Sequence, residues 1–442
     1  MKQVEVVETV LVAPSEATPG QPLWLSNLDL AMPRTHTPVV YYYPAPAQGG
    51  GDAATGSFAP DRLKAALARA LVPFYPLAGR LGAGPDGRLQ IDSNGEGALF
   101  VVARADLTGD EIFEDYEPSP EIRRAFVPLA QLGEASSPMA MFQVTFLKCG
   151  GVVLGTGIHH AVMDGVGAFQ FIQTWAGLAR GLVVAEACGP PPFHDRTPLR
   201  ARCPPCPTSD HFVYSPAFLS DRARPFVTRF YSVSPKLLAE IKSRCGAGVS
   251  TYCALTAHLW RCVCVARGIA PGSDTRLGLP ANVRHRLSPP LPRNFFGNAV
   301  VRDLVTARAN DVMNSSLGSV AETIKKAVDR VDDAFARSVV DYLELEMGKK
   351  KKGDDKEGGH DQQAAREKLV PATDLWAVSW LGMSMYDADF GSGTPRFVAP
   401  AQMFGVGTAY MTPCADRDDG ITVLLAMEAD YMQCFEKVFY GE

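Results

Sequence analysis

Between Cys188 and Asp210 the chain reads CGPPPFHDRTPLRARCPPCPTSD, with seven prolines. Proline fixes φ and lacks the backbone N–H, so neither a helix interior nor a central strand runs through such a stretch. The 442 residues therefore divide into an N-terminal lobe over 1–187, a crossover over 188–210 and a C-terminal lobe over 211–442. At 46% hydrophobic and 21% charged residues, the chain can bury a large core and does not have the composition of a disordered protein. A second break, GKKKKGDDKEGGHDQQ over 348–363, reads as a solvated, mobile loop. Acids follow its lysine run at once, and the net charge is −5, so nothing argues for a nucleic-acid partner.

No apolar run approaches the roughly 18 residues that span a bilayer, so no membrane partner is expected. The first residues, MKQVEVVETV, carry Glu5 and Glu8 and lack the apolar stretch of a secretory signal; a cytoplasmic monomer is the expectation. Ten cysteines include one CxxC, Cys203 to Cys206, without a second pair at zinc spacing. No metal site is expected, and the thiols read as free ones in a reducing compartment.

The most legible unit precedes the crossover. Phe142, Val144 and Phe146 alternate with other side chains, Lys148 to Gly151 supplies a turn, and Val152 to Leu154 resumes, as in a hairpin. Beyond HHAVMDG (159–165), apolar residues recur at Val166, Phe169, Ile172, Trp175 and Leu178, the stripe of a helix. The HHAVMDG loop thus sits between a strand end and a helix start, where rigid elements hold side chains towards a cleft. In the second half, 251–267 and 320–345 read as helices, and 276–280, 377–381 and 421–428 as strands. Mixed sheets in an α/β fold follow.

Several chemistries lose their anchors. There is no G-x-S-x-G, Walker A or HExxH motif, and the GxGxxG at 82–87 lies between two strand-like segments, as a hairpin turn does. The HHAVMDG loop carries the positive signal, because imidazole titrates near neutrality and can take a proton from an attacking hydroxyl or amine. Asp164 either orients the imidazole or locks the loop through an ion pair. From the residues alone, two histidines that merely satisfy local hydrogen bonds fit as well.

HHAVMDG resembles the HxxxDG motif of the plant BAHD acyl-CoA-dependent acyltransferases, and DADFGSG (387–393) resembles their DFGWG motif. LWLSNLDL (23–30), HTPVVYYY (36–43), PLAGRL (76–81), IDSNGEGALF (91–100), STY (250–252), AHLWR (257–261) and NFFGN (294–298) are similar to strings of the hydroxycinnamoyl transferase branch. The resemblance runs over essentially the whole chain.

It implies a two-lobe CoA-dependent acyltransferase fold, with mixed sheets flanked by helices and an active-site channel between the lobes. No tightly bound cofactor is implied; acyl-coenzyme A is the co-substrate and a small molecule the acceptor. His160 and Asp164 are the implied catalytic residues, His160 as general base and Asp164 held to the loop's geometry by pairing with Arg284. Asp389 and Gly391 are implied to be structural. Coenzyme A contacts are implied at Ser250, Thr251, Tyr252, Arg284, Gly393 and Thr394, and substrate contacts at His36, Tyr41, Gly382 and Ser392. Ser392 stands where the family has tryptophan, Val39 where relatives have serine, and Gly382 where relatives using shikimate or quinate place an arginine in the strand before the motif. Arg34 and Arg396 are the candidate substitutes for that arginine. The leading expectation is O-acylation by a hydroxycinnamoyl group; the alternative is N-acylation of an amine.

Overall fold

The computed structural model describes residues 4–45, 56–129, 137–215, 218, 221–222, 224–353, 368–403, 405–415 and 420–441. The chain forms two units: Met1–Pro198 with Pro292–Asn298 and Met383–Met403, and Leu199–Leu291 with Ala299–Gly382 and Phe404–Glu442. No single boundary separates them, because two segments beyond the proline-rich stretch return to the first unit.

In the first unit a six-stranded sheet runs Val4–Val12, Ala98–Ala105, Ala140–Leu147, Val152–His159, His36–Tyr43 and Phe397–Pro400. All neighbours are antiparallel except the parallel pair Ala98–Ala105 and Ala140–Leu147. The hairpin read from the sequence is there, with Phe142 opposite Thr156 and Val144 opposite Leu154. One face packs Phe142 against Phe171 and Trp175 of the Gly165–Ala179 helix, so the period-two strand meets the period-three stripe. The other face is approached so closely that a Cβ at residue 155 would lie 1.7 Å from the Phe126 carbonyl oxygen; only glycine fits there.

The second unit has its own six-stranded sheet: Val227–Val233, Ile421–Met427, Thr408–Pro413, Leu375–Ser379, Asp274–Asn282 and Val300–Arg308. It mixes parallel and antiparallel pairs and carries the buried Thr251–Ala266 helix with Trp260 at zero exposure. This is the expected α/β class with mixed sheets flanked by helices.

Three local readings change. The helix expected over 320–345 is two, Leu317–Arg330 and Asp333–Gly353, because the Asp332 carboxylate takes the Phe335 N–H at 2.8 Å and starts a new helix. That second helix carries residues 348–353, where the composition predicts a loop, and lysine's good helix propensity permits it. The remainder of that stretch, 354–363, lies outside the described residues. The strand expected over 377–381 stops at Ser379, so Gly382 sits in a turn and not in a strand. The GxGxxG is a hairpin turn between Arg80–Ala83 and Leu89–Asp92, closed by Gly84 N–H to the Arg88 carbonyl.

Candidate active site

The HHAVMDG loop leaves the sheet at His159 and enters the Gly165–Ala179 helix, whose N-cap is Asp164. The Asp164 carboxylate accepts the Gly167 N–H at 3.4 Å, so this aspartate shapes the loop by ending it in a helix cap. Aspartate just before glycine at a helix start was readable as a cap signal.

The two histidines have different surroundings. His159 is buried opposite His36, the rings edge-on with centroids 5.3 Å apart. Its Nδ1 accepts the Ala161 N–H at 3.3 Å, while His36 Nε2–H donates to the Pro138 carbonyl at 2.7 Å. Burial, reinforced by His36, His160 and Arg34, pushes the His159 pKa down to about 3. Burial also lowers that of His36. Both rings are neutral near pH 7. His160 is only half-buried, and its backbone is fixed from both sides: its N–H donates to the Thr35 carbonyl at 3.0 Å, and its carbonyl accepts the Asn298 Nδ2–H at 2.8 Å.

Alternation along His36–Tyr43 puts His36 and Tyr41 on opposite faces of the sheet. Tyr43 shares the Tyr41 face and packs against Phe58 and Phe390. Tyr41 is 2% exposed, and burial raises the pKa of its hydroxyl.

The second motif is a turn organised by one carboxylate. Asp389 Oδ1 accepts the N–H groups of Gly391 and Gly393 at 2.7 and 3.0 Å, and Oδ2 meets Arg180 Nη1 at 3.3 Å. Gly391 and Gly393 have φ of +110° and +94°, a region that disfavours side-chain-bearing residues. Phe390 is fully buried against Phe58 and Trp175, and the Tyr43 hydroxyl donates to the Ala388 carbonyl at 2.7 Å. Ser392 and Thr394 are exposed on this turn. One helix thus touches both motifs, capped by Asp164 at its start and followed by Arg180 at its end.

Ser250, Thr251, Tyr252, Arg284 and Gly382 belong to the second unit; the other candidate residues belong to the first. Ser250 caps the Thr251–Ala266 helix by accepting the Cys253 N–H at 3.1 Å, and Tyr252 donates to the Ala377 carbonyl at 3.3 Å. Arg284 is 2% exposed, with its backbone N–H on Asn282 Oδ1 at 3.0 Å. A Cβ at residue 382 would meet nothing within 4 Å, so a side chain has room there. Among the described residues no cluster of three or more potential metal ligands occurs, and no helix is long and apolar enough to cross a membrane.

Sequence reasoning passed over Asp29, Arg196 and Asn298, which surround the loop; the first and last lie in LWLSNLDL and NFFGN, noted only as family strings.

The Transferase family matches residues 2–441. The chain belongs to this family, the BAHD acyltransferases. It is 43% identical over 451 aligned residues to putrescine hydroxycinnamoyltransferase 1 of Oryza sativa subsp. japonica, covering 99% of both chains. It is 35% identical to the shikimate O-hydroxycinnamoyltransferase of Nicotiana tabacum over 99% of both chains. These relatives place it in the hydroxycinnamoyl transferase branch, and the chain is an acyltransferase. The fold is that of vinorine synthase, at a TM-score of 0.75 and 19% identity over 99% of this chain and 98% of that one. It is also that of F. graminearum TRI101, solved with coenzyme A and T-2 mycotoxin, at 0.74 and 18% over 93% and 96%.

Proposed function

We propose that the chain transfers a hydroxycinnamoyl group from coenzyme A to an amine, with His160 as general base. Gly382 bears on the acceptor class: where the resemblance puts the arginine that holds a carboxylate acceptor, this chain has a bare turn with open space, which suits an amine or an uncharged alcohol better than a hydroxy acid. Without that cation, a hydroxy acid forfeits a charge-assisted contact, whereas an amine needs none. A relative at 43% identity is named for putrescine, which supports the same reading.

The acceptor nitrogen attacks the thioester carbonyl carbon, and His160 takes the proton that the nitrogen loses. The tetrahedral intermediate collapses with rupture of the C–S bond, and the coenzyme A thiolate leaves, to be protonated by the imidazolium. No acyl-enzyme forms, in keeping with the missing nucleophile elbow. The capped N-terminus of the Thr251–Ala266 helix is a good anion partner and suits the coenzyme A phosphates at Ser250 to Tyr252, with Arg284 of the same unit as a further contact. Tyr41 is assigned to the phenol end of the acyl group.

The test is a coenzyme A release assay with p-coumaroyl-CoA against putrescine, a monoamine and shikimate, with products identified by mass spectrometry. Amide formation is expected. Because only the free-base amine attacks, its rate should climb about tenfold per pH unit below the amine pKa near 10. Efficient ester formation with shikimate and no amide would overturn the amine assignment in favour of O-acylation, the activity named in a relative at 35% identity.

A further inference from the structure

We propose that Asp29, Asn298 and Arg196 are positioning residues, a buried clamp that grips the backbone carbonyls of His160 and Val162 and so sets the place of the catalytic imidazole. The inference rests on His160 being the base.

Three segments remote in sequence converge here. Asp29 lies in the short Asn27–Leu30 helix and is completely buried. Its Oδ2 accepts Ser26 N–H at 2.9 Å, Ser26 Oγ–H at 2.7 Å and Arg196 Nε–H at 3.0 Å. Its Oδ1 accepts both the backbone N–H and the Nδ2–H of Asn298 at 2.9 Å. The second Nδ2 proton of Asn298 goes to the His160 carbonyl at 2.8 Å, and Arg196 Nη2 donates to the Val162 carbonyl at 2.9 Å. One carboxylate thus aligns two donors whose other ends hold the loop on both sides of Ala161.

Stability alone is a poor reason for this arrangement. Both Arg196 and Asp29 side chains are at 0% exposure, and a fully buried ion pair commonly gains little over well-packed apolar residues. What such a network does supply is a single geometry. The carbonyls of a strand-to-helix loop lack regular partners, and donors of fixed direction define where the loop lies. A displacement of about 1 Å at a general base costs on the order of 10²-fold in rate. The bonds that Asn298 and Arg196 make to the loop go to the backbone of residues 160 and 162, so the clamp acts through His160 and not on substrate.

The experiment is a double-mutant cycle on the full chain, combining Asn298→Ala with His160→Ala, with p-coumaroyl-CoA and the best acceptor of the panel. Asn298→Ala should lower kcat by about 10- to 100-fold with KM for both substrates changed less than about threefold. Folded sites are counted by calorimetric binding of coenzyme A. Thr108→Ala removes a helix cap outside the loop and serves as a stability control; it should lower the melting temperature while sparing kcat. In the His160→Ala background, Asn298→Ala should cost nothing further. An Asn298 effect that persists undiminished in that background overturns the clamp, as does an unchanged kcat in the single variant. If instead His160→Ala retains full activity, the base assignment itself fails, whatever Asn298 does. Should Asn298→Ala not fold, Arg196→Lys, which keeps the charge opposite Asp29 but shortens the reach to Val162, replaces it with the same expected outcomes.

Discussion

His159→Asn should make the protein less sensitive to acid without removing its activity. In the folded chain burial holds the His159 pKa at about 3; in the unfolded chain it lies near 6.5. The folded value is depressed, so the contribution of the neutral ring to stability is complete above about 6.5 and is lost as pH falls through that value towards 3. At pH 7.5 neither state carries the proton. At pH 5.5 the unfolded state carries most of one and the folded state almost none. Integrating the linkage between these limits gives a loss of about 1 kcal/mol from this residue. The number is insensitive to the folded value: anything below about 4.5 gives nearly the same result. Asparagine places Oδ1 where Nδ1 accepts the Ala161 N–H, so the variant keeps that hydrogen bond and loses only the titration.

The assay is urea unfolding followed by tryptophan fluorescence at pH 7.5, 6.5 and 5.5, comparing wild type with variant. Both should weaken on acidification, because burial also lowers the pKa values of His36 and His194, the latter to about 4. The wild type should lose about 1 kcal/mol more than the variant over the two pH units. Superimposable pH dependences would show that His159 titrates alike in both states, and the reasoning from burial would be wrong. At pH 7.5 kcat should stay within a few-fold of wild type, as befits a ring that packs against His36 and moves no proton.

His160→Ala should lower kcat by about 10²-fold or more with an unchanged melting curve, and losses of equal size at His159 and His160 in turnover assays would refute the division of roles. Gly382→Arg should raise kcat/KM for shikimate by about tenfold while leaving amines flat or worse, because a side chain has room at that turn; a wild type with micromolar KM for shikimate would sink the argument. Ser392→Trp, exposed on the Asp389 turn, should narrow the acceptor range of the panel, and an unaltered profile would place residue 392 outside the acceptor site.

What was legible in the sequence is what repeats locally. Alternation from Phe142 to Phe146 and the three-residue spacing from Val166 to Leu178 belong to single elements, so the hairpin, the loop and the helix around His160 could be read directly. What was not legible depends on separation. Asn298 reaches the His160 carbonyl across 138 positions, and Arg196 reaches Asp29 across 167. Nothing in the local pattern of either says which donor meets which acceptor. The same limit explains the break near Val331, where a cap at Asp332 overrides an otherwise continuous apolar stripe, and the turn at Gly382, which differs from a strand only in the two residues that follow Ser379.

The distance between the two motifs in the sequence also has a structural sense. HHAVMDG and DADFGSG are separated by more than 200 positions, yet the Gly165–Ala179 helix couples them: Asp164 caps its first turn and Arg180, its C-cap, pairs with Asp389. Between those ends Trp175 packs on Phe390 and donates to the Leu63 carbonyl at 3.0 Å, and Gln173 donates to the Ser384 carbonyl at 2.7 Å. A helix held at both termini and along its length cannot rotate or slide without breaking several of these contacts together. The histidine loop at one end and the glycine turn at the other are therefore parts of one rigid piece. On this argument Asp164 and Asp389 act without touching a substrate: each carboxylate fixes one end of the helix that joins the histidine loop to the glycine turn.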